Sequence, residues 1–194
     1  APVWSGRGGG SGGLMARQES RTRPQRGGTG IVADDLTMEF GDETAIDSLD
    51  LRVEPGTIVG LIGPSGCGKT TTVRMLTGLL SPTSGRATID GVPADTMSAK
   101  QRTAIGYLPQ TPALFGELSV RENLNFHASM YGLTLRRRKR LRQLLDWVEL
   151  GDDAGKRVRD TSGGMQRRLA LAATFVHDPR YLFLDEPTAG IDPI

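Results

Sequence analysis

The strongest constraint on this chain is a glycine-rich stretch of eight residues, Gly63-Pro64-Ser65-Gly66-Cys67-Gly68-Lys69-Thr70. It fits the pattern G-x-x-x-x-G-K-[ST]. The β-branched run at 57–62 before it is typical of a buried strand, and residues 71–76 after it can begin a helix. Glycines let successive backbone N–H groups turn toward one anion, and a helix N-terminus adds partial positive charge. This strand–loop–helix context predicts a phosphate-binding loop.

The two polar residues that end the loop predict what the phosphates belong to. In P-loop nucleotidases the lysine reaches the β- and γ-phosphates and the following hydroxyl binds Mg²⁺. Those roles fall to Lys69 and Thr70. The expected contacts with the nucleotide are Gly63, Pro64, Ser65, Gly66, Cys67, Gly68, Lys69, Thr70 and Thr71. Cys67, the single cysteine, excludes an intrachain disulfide and is expected to contribute only its backbone N–H. The alternative is a glycine-rich turn with a chance lysine, and each further motif weakens it.

Composition separates residues 1–29 from the rest. The chain has 194 residues and a net charge of +2, so charge alone does not argue for nucleic acid. Residues 1–29 contain five arginines and one glutamate, a net charge of +4, and almost no apolar residues. We expect this segment to be disordered, because it cannot offset its ordering entropy. A flexible extension, or residues ahead of a start at Met15, is favoured over an arm that contacts RNA or anionic lipid. No apolar run approaches the roughly 18 residues of a membrane span.

The remaining pattern predicts an α/β fold. Residues 31–40 and 44–53 read as antiparallel strands joined by a Gly41-Asp42 turn, and later strands are predicted at 87–91, 104–108 and 181–186. Ser119 and Glu122 form a capping box that opens a helix. Six basic residues between Arg136 and Arg142 are interpreted as a solvated helix surface rather than a contact with lipid or an acidic partner. Alternating strands and helices predict a mainly parallel sheet.

Two further clusters predict chemistry. Asp185 and Glu186 end an apolar strand, so Asp185 can hold Mg²⁺ through water while Glu186, facing the other way, polarises an attacking water. The alternative is a salt-bridged acidic pair. Ser162-Gly163-Gly164 at a helix start can form a second anion site, although the tripeptide alone is more often a turn.

Together, these motifs resemble the ATP-binding cassette (ABC) ATPases, in that family's order, over residues 31–194. The stretch Gly63–Thr70 resembles Walker A, and Gln110 resembles the Q-loop glutamine. Ser162–Gly164 resembles the core of the signature, and Leu-Phe-Leu-Asp-Glu at 182–186 resembles Walker B with its catalytic glutamate. Ala-Gly-Ile-Asp at 189–192 resembles the D-loop.

The resemblance implies a P-loop NTPase fold that has N-terminal antiparallel strands and a helical signature subdomain at about 115–165 of a domain spanning 30–194. It implies ATP and Mg²⁺ as cofactors. The implied catalytic residues are Glu186, Lys69 and Gln110, and the implied Mg²⁺ ligands are Thr70, Gln110 and Asp185. Phe40 is where the family carries an aromatic residue that stacks on adenine. A head-to-tail dimer with a second copy or a paralogue is also implied, in which the nucleotide is contacted by Ser162, Gly163, Gly164, Met165 and Asp192.

The signature also bears on function. Thr-Ser-Gly-Gly-Met at 161–165 resembles ABC-2-type exporters, including the daunorubicin-resistance group, rather than the commoner form ending in glutamine. This implies export of a drug, lipid or polysaccharide through separate transmembrane permease subunits, with the chain cytoplasmic and peripheral on that face of the membrane. The alternatives are a soluble ABC ATPase acting on nucleic acid or ribosomes, and a regulatory nucleotide binder; no nucleic-acid partner is expected.

The family's switch histidine would follow the D-loop, and neither His127 nor His177 is positioned for it. We therefore expect the chain to be a fragment of a longer domain. If the 194-residue form is itself the native product, we expect its ATP hydrolysis to be impaired.

Overall fold

A computed structural model describes residues 28–133 and 137–186, together with the backbone of residues 15–20. The chain divides into two compact units, residues 1–98 and 99–194. The first unit contains β1 (Met15–Ser20), β2 (Ile31–Phe40), β3 (Glu43–Val53), β4 (Thr57–Ile62), α1 (Lys69–Leu76), β5 (Ser84–Ile89), β6 (Val92–Pro93) and a 3₁₀ turn (Ala94–Thr96). The second contains α2 (Ala99–Arg102), β7 (Ile105–Leu108), α3 (Val120–Met130), α4 (Arg137–Trp147), a 3₁₀ turn (Val158–Asp160), α5 (Gly163–Thr174) and β8 (Tyr181–Leu184).

An antiparallel sheet of strand order β3-β2-β5-β6 forms the body of the first unit. The predicted hairpin is confirmed, because β2 and β3 pair across the Gly41-Asp42 turn. Leu36 and Leu51 of these strands are buried, as are Met75 and Leu76 of α1. The helix contacts β2, β3 and β5. This packing supports the start of α1, which directly follows the phosphate-binding loop.

Strand β4, which leads into that loop, pairs antiparallel with β1, and Met15 lies opposite Ile62. The prediction that residues 1–29 are disordered is therefore wrong for residues 15–20. Backbone pairing satisfies the N–H and C=O groups of a strand edge whatever the side chains are, so hydrophobic pattern carries no signal for it. Residues 1–14 and 21–27 lie outside the described residues.

In the second unit, β7 and β8 form a parallel pair, with Ile105 opposite Tyr181 and Leu108 opposite Leu184. It is the one parallel pair among the strands that the structure describes, so the local pairing differs from the mainly parallel sheet predicted. The difference has a geometric origin. The two-residue connection between β2 and β3 permits only an antiparallel hairpin, whereas β7 and β8 are joined by a long helical crossover. The parallel arrangement brings the carboxyl ends of β7 and β8 to the same edge.

Helices α3, α4 and α5 share a hydrophobic core. Its buried members include Val120, Leu124, Ala128, Leu141, Leu144, Leu145, Val148, Leu150, Leu169, Ala172 and Val176. Each buried leucine or valine contributes roughly 1.5–3 kcal/mol relative to exposure. The core extends to Val176 and so passes the predicted end of the helical subdomain near residue 165.

The basic face of α4 is partly used to anchor the helix. Arg137 donates to the Ser129 hydroxyl (3.0 Å), and Arg140 donates to the Phe175 carbonyl (2.9 Å) and to Asp178 (3.2 Å). The remaining basic residues of the helix, Arg138, Lys139 and Arg142, are exposed, as a solvated surface requires. Arg136 lies outside the described residues. No helix within the described ranges has the length and apolar character needed to cross a membrane.

Candidate nucleotide site

The phosphate-binding loop has the backbone that its glycines predict. Gly66 and Gly68 have φ of 81° and 90°, in the left-handed region that favours glycine. A Cβ atom added at Gly68 would lie 2.8 Å from the Ala45 carbonyl oxygen, whereas one at Gly66 would meet open space. Gly68 is therefore required both for its conformation and for its close approach to the neighbouring strand.

Helix α1 starts at this loop with its N-terminus open. Gly68 is the N-cap, so no side chain caps the helix, and the first turn contains no acidic residue. The first N–H groups of a helix have no acceptor within the helix and carry the positive end of its dipole. Together with the N–H groups of the turned loop before them, these donors suit a polyphosphate.

Lys69 places its charge inside the loop. Its Nζ donates to the carbonyl oxygens of Gly63 (2.9 Å) and Pro64 (2.7 Å) and lies 3.7 Å from the sulfur of Cys67. The ammonium is thus held within the turn that the sequence predicts to bind phosphate. Thr70 and Thr71 follow in the first helical turn and are half-buried.

Phe40 ends β2 and is 52% exposed as a residue, so it does not belong to the core. An exposed ring is what stacking on a base requires. Its contact with adenine stays a prediction.

At the carboxyl end of β8, Asp185 and Glu186 differ in exposure to solvent. Asp185 is 5% exposed, its backbone N–H donates to the Leu108 carbonyl (2.9 Å), and its Oδ2 has no hydrogen-bond partner among the described residues. Glu186 is exposed. A buried carboxylate oxygen without a partner is unfavourable unless a cation or donor completes it. Asp185 therefore fits a cation ligand.

The donor set also bears on which cation fits. The described residues contain no cluster of three or more His, Cys, Asp or Glu side chains able to hold a metal. Mg²⁺ needs no such cluster, because it retains waters and takes one or two carboxylates together with substrate phosphates. A single buried carboxylate suits this mode of binding, and Thr70 and Gln110 stay predicted as its companions.

Gln110, which follows β7, meets Glu186 at the ends of the two strands. Its Nε2 donates to Glu186 Oε2 at 2.9 Å. The structure thus brings together two side chains that lie 76 residues apart and that the sequence places in one site. Glu186 has φ of 48°, a left-handed backbone that is uncommon for a residue with a side chain.

Sequence reasoning missed Arg167. This residue of α5 is 6% exposed, and its guanidinium donates to the backbone carbonyls of Pro109, Gln110, Asp185 and Glu186. A signal was available. Arg167 shares one helical face with Ala170 and Thr174, which are buried, and an arginine on a buried face must find acceptors there.

The signature segment begins helix α5, and this helix start is only partly capped. Ser162 is the N-cap of α5, and its Oγ accepts from the Met165 N–H at 3.2 Å, which leaves the hydroxyl proton free to donate. Gly163 is exposed, and a Cβ there would meet no atom of the described residues within 4 Å. The Met165 side chain packs against the helical core. The nucleotide contacts of these residues stay predictions, and Asp192 lies outside the described residues.

The two histidines have structural surroundings. His177 Nε2 lies 2.9 Å from the Ile105 carbonyl at the start of β7, the end opposite Gln110, and its ring stacks on Tyr131 at 3.6 Å. Burial lowers the pKa of His177, against the opposing effects of the Ile105 carbonyl and Asp178. Burial also lowers the pKa of His127. Both imidazoles are therefore favoured in the neutral form by the fold.

Comparison with known proteins decides the family. The profile of the ABC transporter family matches residues 46–189, which include the loop, Gln110, the signature and the strand-end acids. The chain belongs to the ABC transporter family. Its P-loop NTPase fold is shared with two solved ABC proteins. One is the ATP-binding subunit of an ABC transporter (TM-score 0.74, 28% identity, 85% of this chain and 69% of that one). The other is cbiO1 of Clostridium perfringens, part of the complex cbiONQ (TM-score 0.73, 30% identity, 86% and 69%).

Curated relatives of this ABC chain carry exporter names. The daunorubicin resistance ATP-binding protein DrrA3 of Streptomyces coeruleorubidus is 46% identical over 166 residues, which are 85% of this chain and 52% of the relative. The Nod factor export ATP-binding protein I of Cupriavidus metallidurans is 43% identical over 155 residues, 79% and 51% of the two chains. The chain spans about half the length of these relatives.

Proposed function

We propose that this chain is the ATP-binding subunit of an ABC exporter and that it binds and hydrolyses MgATP to drive transport through separate transmembrane subunits. The observation that carries the hydrolytic part is the arrangement at the ends of β7 and β8, where Gln110 donates to Glu186. The neighbouring Asp185 has a carboxylate oxygen without a hydrogen-bond partner in the part of the chain that the structure describes. The open N-terminus of α1 carries the binding part.

Each residue has a role that its surroundings suit. The loop N–H groups and Lys69 bind the phosphates, and Thr70, Gln110 and Asp185 would hold Mg²⁺. When bound, Mg²⁺ neutralises charge on the phosphate oxygens. Glu186 accepts a hydrogen bond from the attacking water and polarises it for in-line attack on the γ-phosphate. Its exposure gives water access to the carboxylate.

We further propose that the complete site needs a second copy of the chain or a paralogue. Ser162 offers a hydroxyl proton, and the N–H groups of Gly163 and Gly164 open helix α5 without an intrahelical acceptor. Ser162 and Gly163 are exposed, and Gly164 is half-buried. These donors suit the γ-phosphate of a nucleotide held by the opposite subunit of a head-to-tail dimer.

A cleft in the second unit suits a membrane partner. It encloses about 330 Å³ and is lined by Gln110, Pro112, Leu114, Gly116, Val158, Arg159, Gly163, Gln166 and Arg167. Beside it, the exposed rings of Phe115 and Phe126 meet edge to face at 4.7 Å. We propose that a cytoplasmic segment of the permease docks here and that the chain is peripheral on the cytoplasmic face of the membrane. The relatives named for daunorubicin resistance and Nod factor export support the proposed export of a drug, lipid or polysaccharide.

The test compares Glu186→Gln with Lys69→Ala in the purified protein. We expect Glu186→Gln to keep ATP affinity and to lower ATP turnover by at least about 100-fold, since the amide is a poor base. It should also elute as an ATP-stabilised dimer in gel filtration. Lys69→Ala should abolish ATP binding, measured with a fluorescent ATP analogue.

These variants separate the two halves of the proposal. Unchanged turnover in Glu186→Gln would remove Glu186 as the catalytic group. Wild-type nucleotide affinity in Lys69→Ala would contradict the assignment of the loop. Failure of the protein to co-purify with a membrane permease would contradict the exporter role without touching ATP binding.

A further inference from the structure

We propose that Arg167 is a positioning residue for ATP hydrolysis, which holds the ends of β7 and β8 so that Gln110 and Glu186 meet. The proposal rests on the proposed function, because Glu186 is the carboxylate through which Arg167 would act.

One planar guanidinium reaches both strand ends. Its Nη1 donates to the carbonyl oxygens of Pro109 (2.9 Å) and Gln110 (3.0 Å), which follow β7. Its Nη2 donates to the carbonyl oxygens of Asp185 (2.8 Å) and Glu186 (2.5 Å), which follow β8. The side chain comes from α5, whose first turn is the signature, so three separate segments meet at one group.

The four accepting carbonyls lie on the peptide groups that flank the two functional residues, Gln110 and Glu186. The carbonyls of Pro109 and Gln110 belong to the two peptide groups that flank the Gln110 Cα. The carbonyls of Asp185 and Glu186 flank the Glu186 Cα in the same way. Arg167 therefore orients the peptide planes on both sides of each residue, and the 2.9 Å contact between Gln110 Nε2 and Glu186 Oε2 follows from that.

Glu186 needs such support because its backbone is strained. A residue with a side chain persists at φ of 48° only where its surroundings favour that conformation. Two charge-assisted hydrogen bonds to its flanking carbonyls supply this, and they are strengthened by the burial of Arg167.

Arginine is suited to this position and lysine is not. The guanidinium presents its donors in a rigid planar fork, which can satisfy two pairs of carbonyls at once. A lysine ammonium carries the same charge on one nitrogen and cannot span both strand ends. Arg167→Lys therefore keeps the charge while removing the geometry.

Arg168 provides a matched control on the same helix. Its Nη1 donates to the Val148 carbonyl (3.2 Å) and to Glu149 Oε2 (3.1 Å). Glu149 also has a left-handed backbone, with φ of 56°, but it belongs to the loop after α4. Arg168→Lys thus makes the same chemical change beside another left-handed glutamate, away from the strand ends.

The experiment measures ATP hydrolysis by the full-length wild-type protein, Arg167→Lys and Arg168→Lys over a range of ATP concentrations. We expect Arg167→Lys to lower kcat roughly 10- to 100-fold and to leave the KM for ATP within about twofold of wild type. The reason is that the bonds of Arg167 orient Gln110 and Glu186, whereas Lys69 and the loop bind the phosphates. Arg168→Lys should keep the wild-type kcat. Binding of a fluorescent ATP analogue confirms that each variant is folded, and Arg167→Gln repeats the test if the lysine variant does not fold.

Each outcome bears on a different statement. A wild-type kcat in Arg167→Lys would overturn this role and leave the ATPase proposal intact. An equal loss of kcat in both arginine variants, or a loss expressed in KM, would overturn it in favour of a general effect on helix α5. A wild-type protein that binds ATP without turnover would contradict the proposed function and the role of Arg167 together.

Discussion

Helix α3 begins with a capping box, in which the Ser119 hydroxyl accepts from the Glu122 N–H and the Glu122 carboxylate accepts from the Ser119 N–H. Helix α1 begins at Gly68, which has no side chain to offer its N–H groups. Both are starts of helices of ordinary length, and each has the local sequence that its geometry needs. The difference shows how a chain distinguishes a structural helix start from one reserved for an anion. The N–H groups at the start of α3 donate to its own cap and to the carbonyls of Lys156 and Ala154, whereas the start of α1 has no side-chain cap.

The start of α5 is intermediate between these two. Ser162 caps the Met165 N–H, but Met165 occupies the place of the acid and cannot return the bond as Glu122 does in α3. One side of the capping box is missing, so donors remain for a ligand. Predictions on α1 and α3 test whether this distinction governs function.

The largest effect is expected from closing the α1 site with Gly68→Ala. The added Cβ meets the Ala45 carbonyl, and alanine is strained at φ of 90°. We expect ATP affinity to fall about 10- to 100-fold, measured by titration with a fluorescent analogue. Gly41→Ala is the matched control, because Gly41 also has a positive φ of 62° but lies in the β2–β3 turn with open space around it. Equal affinity in the two variants would contradict a special role for Gly68.

A smaller and purely structural effect is expected from Ser119→Ala. The change removes the cap of α3, and such losses typically reduce the free energy of unfolding by about 1 kcal/mol. Chemical denaturation measures the loss, and ATP affinity should stay at the wild-type value. Ser129→Ala, at the other end of the same helix, should cost less, because its exposed hydroxyl caps no helix start. That hydroxyl donates to the Asn125 carbonyl of an existing turn and accepts from Arg137, which keeps its bond to the Leu133 carbonyl. A change of nucleotide affinity in Ser119→Ala would contradict the view that the capped start of α3 has a structural role only.

The smallest effect concerns acid pH. Hydrogen bonds from the backbone N–H and hydroxyl of Ser119 lower the pKa of Glu122 below its ordinary value of 4.5. Its contribution to stability is therefore full above about pH 4.5 and is lost as the pH falls through the lowered pKa, because the unfolded chain binds the proton first. Wild type should lose more unfolding free energy than Glu122→Gln between about pH 5 and pH 3. If the two proteins lose the same unfolding free energy over this pH range, the ionised Glu122 carboxylate does not contribute to the cap.

Contiguous patterns made most of this molecule predictable. The phosphate-binding loop, the β2–β3 hairpin and the capping box each depend on residues within about ten positions, and the structure confirms their local form. The pairing of β1 with β4 and the bonds of Arg167 join residues far apart through backbone atoms. Every residue has the same backbone carbonyl, whatever its side chain. Contacts made to backbone atoms therefore leave no motif in the sequence. The resemblance to the ABC family assigns Gln110 and Glu186 to one site, but nothing in the sequence predicts the hydrogen bond between them.

Because the four acceptors of Arg167 are backbone carbonyls, they also affect which substitutions evolution can accept around it. Every residue offers a carbonyl, so the positions occupied by Pro109, Gln110, Asp185 and Glu186 can change side chain without removing an acceptor. Only a change at position 167 removes the whole set of bonds. Comparisons among homologues would therefore show this interaction as an arginine without a covarying partner, and methods that infer contacts from covariation would pass over it.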